Sequence, residues 1–352
     1  MQDSLLDRAL GLHRAGRLAE AEAIYRQIIK MQPGHFHALH NLGIVHAQRG
    51  YYAEALHQFE LALKANPDSA EAHNNRGNAL KELGQYEAAM SNFEAAIASN
   101  PDDADAYCNR GVAYRELGHL ERALADFARS TRIRPDFARA HLNTACTLLL
   151  QGDFASGWRL YEWRSRTKQS APREKSHSLE APLWLGEEPL AGKTILLHAE
   201  QGLGDTIQFC RYAPLFAARG ARVIVEVPRA LKRLVASVAA VAEVCERGEA
   251  LPHYDYQFPL MSLPLAQRTT VDTIPARVPY LRPDAGKVSE WKRRLGERVR
   301  PRVGLVWSGG NQPRAVAFGD PRRNIPLMQL AALRRPVSSS KRWRASGRVP
   351  SS

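Results

Sequence analysis

The chain has 352 residues, of which 44% are hydrophobic and 24% charged, and its formal net charge is +13. That length suits about two domains with packed cores, and the composition is ordinary for a globular protein. No apolar run is long enough to cross a bilayer, so no membrane span is expected.

The charge is unevenly spread. Ala285–Ser352 hold 16 Lys or Arg against 3 Asp or Glu, while the rest of the chain carries 33 of each sign. Basicity therefore belongs to the last fifth, and a nucleic-acid partner is not expected. The opening "MQDSLLDRALGLHRAG" puts Asp3 and Asp7 where a secretory signal needs a basic patch and an apolar run. A cytoplasmic location follows as the expectation. Cys108, Cys146, Cys210 and Cys245 lie far apart with no CxxC pair, so they read as reduced core thiols, with no metal site.

In chain order, a repeat comes first. Pro33, Pro67, Pro101 and Pro135 are spaced by 34 residues. The same beat carries Gly43, Gly77 and Gly111; Gly16, Gly50, Gly84, Gly118 and Gly152; Ala21, Ala55, Ala89 and Ala123; and the aromatics Tyr25, Phe59, Phe93, Phe127 and Tyr161. This pattern resembles the tetratricopeptide repeat, a helix–turn–helix unit that buries its apolar face only by stacking. Four full units are expected over residues 2–137, and a fifth ends near "GWRLYEWR".

Asn41, Asn75, Asn109 and Asn143 form a further column, with Asp7 at the equivalent place in the first unit. They fall on the first helix of each unit, which the resemblance places on the concave face. The long superhelix of O-linked N-acetylglucosamine transferases has a similar row. An amide both donates and accepts, so such a row could clamp a peptide backbone without reading its sequence. The alternative is that asparagine is simply common at this position.

Residues 165–192 mix charge, Ser and Pro without period and read as a linker, with Trp184 and Leu185 packing down on the surface. Then "KTILLH" reads as a strand, "DTIQFCRYAPLFAARG" as a helix, "ARVIVEVP" as a strand, "RALKRLVASV" as a helix and "VAEVCERG" as a strand. "HYDYQFPLMSLPL" is a further strand and loop, and "PRVGLVWSGG" runs into a glycine turn. Alternation of this kind predicts a parallel sheet with helices on both faces and ligands beyond the strands' carboxyl ends.

"GLGDTIQF", set between a strand and a helix, resembles the opening of the lipopolysaccharide heptosyltransferases, two-domain glycosyltransferases of the GT-B kind. "GLVWSGGNQ" and "RRNIPL" resemble the start of that family's second domain, although Arg323 stands where a lysine is expected and Ile325 where a tryptophan is. The resemblance implies a catalytic base at Asp205 and donor contacts from Ser308, Gly309 and Arg323; from the residues themselves, the helix N-terminus with Gly202 and Gly204 allowing close approach is an expected anion or substrate loop. The substrate would be a nucleotide sugar, with no cofactor. Read from the residues alone, Asp205 fits an N-cap on the next helix better than a base; with the resemblance the two readings stand even, and one carboxylate could serve both roles. Glu200 is a second candidate base, and His198 reads as a partly buried histidine bonded to backbone; Asp255 reads as structural.

The expected architecture is therefore α + α/β: a tetratricopeptide α-solenoid over 1–164, then a linker over 165–192. The Rossmann-like half of a GT-B domain follows over 193–300, with the start of a truncated second half over 301–335. A disordered basic tail over 336–352, rich in Ser and Arg, would complete the chain. Two functions compete. One is a glycosyltransferase acting on proteins gathered by the repeats, with sugar transfer not expected from this shortened chain. The other is a non-enzymatic scaffold that binds peptides or proteins on the concave face.

Overall fold

The computed structural model describes residues 2–167, 181–184 and 186–297, and Met1–Arg293 form one compact unit. Five helical hairpins come first: α1 (Gln2–Arg14) with α2 (Leu18–Met31), α3 (Phe36–Gln48) with α4 (Tyr52–Ala65), α5 (Ala70–Glu82) with α6 (Tyr86–Ser99), α7 (Ala104–Glu116) with α8 (Leu120–Ile133), and α9 (Ala138–Gln151) with α10 (Phe154–Tyr161). The chain then tightens into a 3₁₀ turn, Glu162–Arg166.

Each column of the repeat has a physical task. Gly16, Gly50, Gly84, Gly118 and Gly152 adopt left-handed φ values of 74–88° at the hairpin turns, a conformation that costs other residues strain. Gly43, Gly77 and Gly111 serve packing instead. A Cβ at each would lie 2.6 Å from the ring of Phe59, Phe93 or Phe127, so the aromatic of the second helix presses on bare backbone of the first. The three rings and Ala55, Ala89 and Ala123 are fully or almost fully buried. His35, Ser69 and Asp103 occupy one column just before α3, α5 and α7, and each side chain accepts a hydrogen bond from a backbone N–H of the first helical turn. The first helices α3, α5, α7 and α9 touch one another in succession, whereas the second helices come less close. The first helices therefore lie inside the bend.

The second part is a four-stranded parallel sheet in the order β3-β2-β1-β4, built from β1 (Thr194–His198), β2 (Arg222–Val227), β3 (Val241–Glu246) and β4 (Tyr256–Pro259). Between the strands lie α11 (Leu203–Phe209), α12 (Ala213–Ala217) and α13 (Lys232–Val235), with α14 (Leu263–Ala266) and α15 (Ala285–Leu295) after the sheet. The single helix expected over 205–220 is broken at Cys210–Tyr212 by a 3₁₀ turn. Pro214 has no N–H to return to the carbonyl of Cys210, so the ladder cannot run through.

Two further expectations are corrected here. Helices α11, α12 and α13 share a core with Ile195, Leu197, Val223 and Val225 on one face of the sheet. The opposite face, with Leu196, Ile224 and Cys245, meets Leu251 and Tyr254 from the 247–255 connection. Among the described residues it is thus covered by a loop rather than by a helix. Trp184 does not settle on the surface. It is fully buried, edge-on to Phe216 and Phe258 at 5.3 and 5.6 Å, and its indole N–H donates to the Glu188 carbonyl. Leu183 also bridges to Gln257, so the end of the expected linker belongs to the sheet's core. Leu185 and residues 298–352, which include Ser308, Gly309, Arg323 and the expected basic tail, lie outside the described residues.

Candidate functional site

The inner side of the solenoid is built from the first helices, and these carry the asparagine column. Asn75 Nδ2 lies 3.0 Å from His40 Nε2, Asn109 Nδ2 donates to Asn74 Oδ1 at 2.9 Å, and Asn143 Nδ2 donates to Cys108 Sγ at 3.5 Å. Each partner sits 35 residues earlier, on the preceding first helix. The residue at that offset from Asn41 is the apolar Leu6, and Asn41 Nδ2 turns instead to its own helix, donating to the His37 carbonyl at 2.8 Å. Amides that the sequence offers to a peptide thus have a first partner within the array. Asn109 is only 2% exposed, whereas Asn41, Asn75 and Asn143 are half-buried.

Beside this row sit two basic residues of one column, Lys81 and Arg115. Arg115 Nη1 donates to Asn143 Oδ1 at 3.2 Å, which places the guanidinium on the shared face of α7 and α9. Lys81 stands one repeat earlier in the same column. Its side chain is 17% exposed; it donates to Asn78 Oδ1 at 3.1 Å and has Glu82 at 3.8 Å. Burial pulls the Lys81 ammonium below its ordinary pKa, Glu82 opposes this, and Arg139 and Arg115 add to the lowering. Lys81 is a mostly buried cation, and the arginines that act on it have carboxylates of their own, Glu116 at 3.4 Å from Arg115 and Asp105 on Arg139. Sequence reasoning missed this pair, although two basic residues exactly one repeat apart were a visible signal.

The second candidate region is the carboxyl edge of the sheet. Asp205 lies in the first turn of α11, just beyond β1, but it is not the N-cap. Gly202 is the N-cap, and Asp205 Oδ2 accepts from its backbone N–H at 3.1 Å. The helix begins two residues earlier than the sequence suggested because the carboxylate reaches back to close the turn. Gly202 and Gly204 are exposed at this turn. Glu200 is paired with Arg164, whose Nη2 lies 2.8 Å from Glu200 Oε2 and 3.2 Å from Oε1. His198 is 6% exposed and bonds through Nε2 to the side chain of Gln257 at 2.7 Å. Asp255 accepts from the backbone N–H of Thr194 and from Lys193, and these two bonds hold its carboxyl below the usual range. It is a structural tie at the other edge of the sheet. Among the described residues, no group of three or more His, Cys, Asp or Glu is placed to hold a metal ion. Among them, no helix is long and apolar enough to cross a membrane.

Sequence profiles described as tetratricopeptide repeats match residues 6–70, 59–90, 77–118 and 104–137. The N-terminal part of the chain is a tetratricopeptide-repeat array. Protein FlbA of Caulobacter vibrioides is 29% identical over 188 residues, which are 46% of this chain and 30% of that protein. The chain therefore spans about a third of the length of that curated relative. The crystal structure of PilW, titled a "widely conserved type IV pilus biogenesis factor", is 25% identical with a TM-score of 0.45, covering 47% of this chain and 78% of PilW. The structure of YrrB, titled "a TPR protein with an unusual peptide-binding site", is 24% identical with a TM-score of 0.39, covering 46% of this chain and 84% of YrrB.

Proposed function

We propose that this protein is a docking scaffold whose tetratricopeptide array binds an extended, acidic segment of a partner protein on its inner face. Stacked repeats present an extended concave surface, which is how such arrays bind. The observation that carries the acidic preference is the column of Lys81 and Arg115, where a mostly buried ammonium has its carboxylate at 3.8 Å and the Arg115 guanidinium has Glu116 at 3.4 Å, both loose ion pairs. A carboxylate brought by a ligand would gain shorter, charge-assisted hydrogen bonds there. The half-buried amides of Asn41, Asn75 and Asn143 lie along the same face, each with lone-pair or N–H capacity beyond its first bond.

Titration calorimetry with an extended Glu-rich peptide tests this reading. Binding is expected to weaken about tenfold or more in Lys81→Ala/Arg115→Ala and to fall with added salt. Equal affinity in the wild-type and double-variant chains would overturn it. Sugar transfer, which the "GLGDTIQF" resemblance implies, has less to support it. The Asp205 carboxylate is engaged by Gly202, and Ser308, Gly309 and Arg323 fall outside the described residues.

A further inference from the structure

In an open parallel sheet, ligands collect where the winding reverses, outside the carboxyl ends of the two strands that flank the reversal. Here β1, β2 and β3 step one way across the sheet and β4 returns to the other side of β1, so the reversal lies between β1 and β4. The segments that leave those two strands carry Glu200 and Ser262. We infer that this crevice is the socket for the solenoid's last turn, with the Arg164 guanidinium as its occupant. The α/β module is then the C-terminal cap of the repeat array. This inference stands apart from the docking reading.

The geometry is specific. Arg164 is 5% exposed; its Nη1 donates to Glu162 Oε1 at 2.6 Å, and its Nη2 donates to Glu200 and to Ser262 Oγ at 2.7 Å. Ser262 Oγ in turn donates to Glu162 at 2.8 Å, closing a ring of groups drawn from the solenoid, the β1 loop and the β4 loop. Burial acts to lower the guanidinium pKa, but Glu200 and Glu162 overcome it and hold it above its ordinary value. The charge also fits a cation. Two carboxylates face one arginine, an arrangement that would repel the diphosphate of a nucleotide sugar.

An apolar seal surrounds the ring. Trp158 of α10 meets Phe209 of α11 edge-on at 5.8 Å, and Gln201 donates to the Tyr161 hydroxyl at 3.1 Å. Burial pushes the Tyr161 hydroxyl up, and the bond from Gln201 opposes this. Trp158 and Tyr161 are packed against the sheet's own core cluster. A repeat array needs something to cover the apolar side of its last unit. Here the sheet does it.

Hydrogen exchange on the full chain tests the inference. Arg164→Ala is expected to raise exchange about tenfold or more in 154–166, 199–206 and 260–266 while leaving α3–α6 unchanged, and Arg164→Lys is expected to fall between. Continued protection of 199–206 in Arg164→Ala would overturn it, as would a rise spread evenly through α3–α6. Should Arg164→Ala fail to fold, Glu200→Gln reads the same junction: faster exchange in 154–166 is expected, and no change there overturns the inference. Protection of 199–206 in the wild-type chain by millimolar uridine diphosphate would also overturn it, since an occupied socket has no room for that probe.

Discussion

The solenoid and the sheet solve the same packing problem by opposite means. In the solenoid Phe59, Phe93 and Phe127 each meet a glycine sixteen residues earlier, as Phe93 meets Gly77, and the solution is copied along the chain. In the sheet, Trp184, Phe216 and Phe258 come from segments far apart in sequence and meet once. A local, repeated core spreads its stability over nearest-neighbour contacts, whereas a core gathered from distant segments depends on a few large side chains.

That difference can be broken most sharply at Trp184. Its replacement by Ala removes the largest fully buried side chain and is expected to cost about 3–5 kcal/mol. The loss should fall on the sheet: exchange in β1, β2 and β4 rises while α3–α8 keep their protection. Equal losses in both parts would show that the solenoid has no stability of its own.

A middling effect is expected at Gly77. Gly77→Ala would put a Cβ 2.6 Å from the Phe93 ring, where the ring and backbone must give way, at about 1–3 kcal/mol by denaturant titration. The first and fifth units carry a Cβ in this column, and in the first both Ala9 and its aromatic, Tyr25, stay fully buried. Ala145 stands in the glycine column, and the aromatic sixteen residues on, Tyr161, is turned toward Gln201 and the sheet. Gly77→Ala combined with Phe93→Leu should recover part of the loss. No recovery would mean that the glycine column serves something other than the ring.

The smallest expected effect separates the two parts by pH. His40 and His46, both on α3, are 3% and 5% exposed. Burial lowers the pKa of each below the ordinary value, against Glu71 for His40 and against Glu22 for His46, with His37 adding to the lowering at His40. A histidine depressed in the folded state binds its proton more readily when unfolded. Stability is then full above about pH 6.5 and falls as the pH drops from there toward the folded pKa. Protonation would also set His40 Nε2, as a donor, against Asn75 Nδ2 until that amide turns over. Thermal melts followed by circular dichroism should show the solenoid's midpoint falling between pH 7.5 and 5.5, less so in His40→Gln. A midpoint that does not move over this range would count against buried neutral imidazoles.

The repeat was legible because each column answers a steric demand met within one or two units. Pro33, Gly43 and Phe59 state their roles by recurrence alone, and the strands around "KTILLH" and "ARVIVEVP" were legible from apolar runs. Lys81 and Arg115 were within reach of the same reading, since they share a column. Arg164 was not, because nothing in "EWRSR" says that its guanidinium will be buried between Glu200 and Ser262. Trp184 was placed on the surface because its segment lacks a period, yet the strand pairing at Gln257 pulls it inside. The sequence by itself thus determined the array, its turns and the run of strands, all set by short-range sterics and hydrophobic period. Only the tertiary structure decided that the asparagine amides bond across neighbouring repeats, that Asp205 closes a turn from its third position, and that the sheet's reversal receives the end of the solenoid. The first and last of these depend on side chains brought together from 35 to 100 residues apart, which no local preference encodes, whereas the Asp205 turn is closed over three residues.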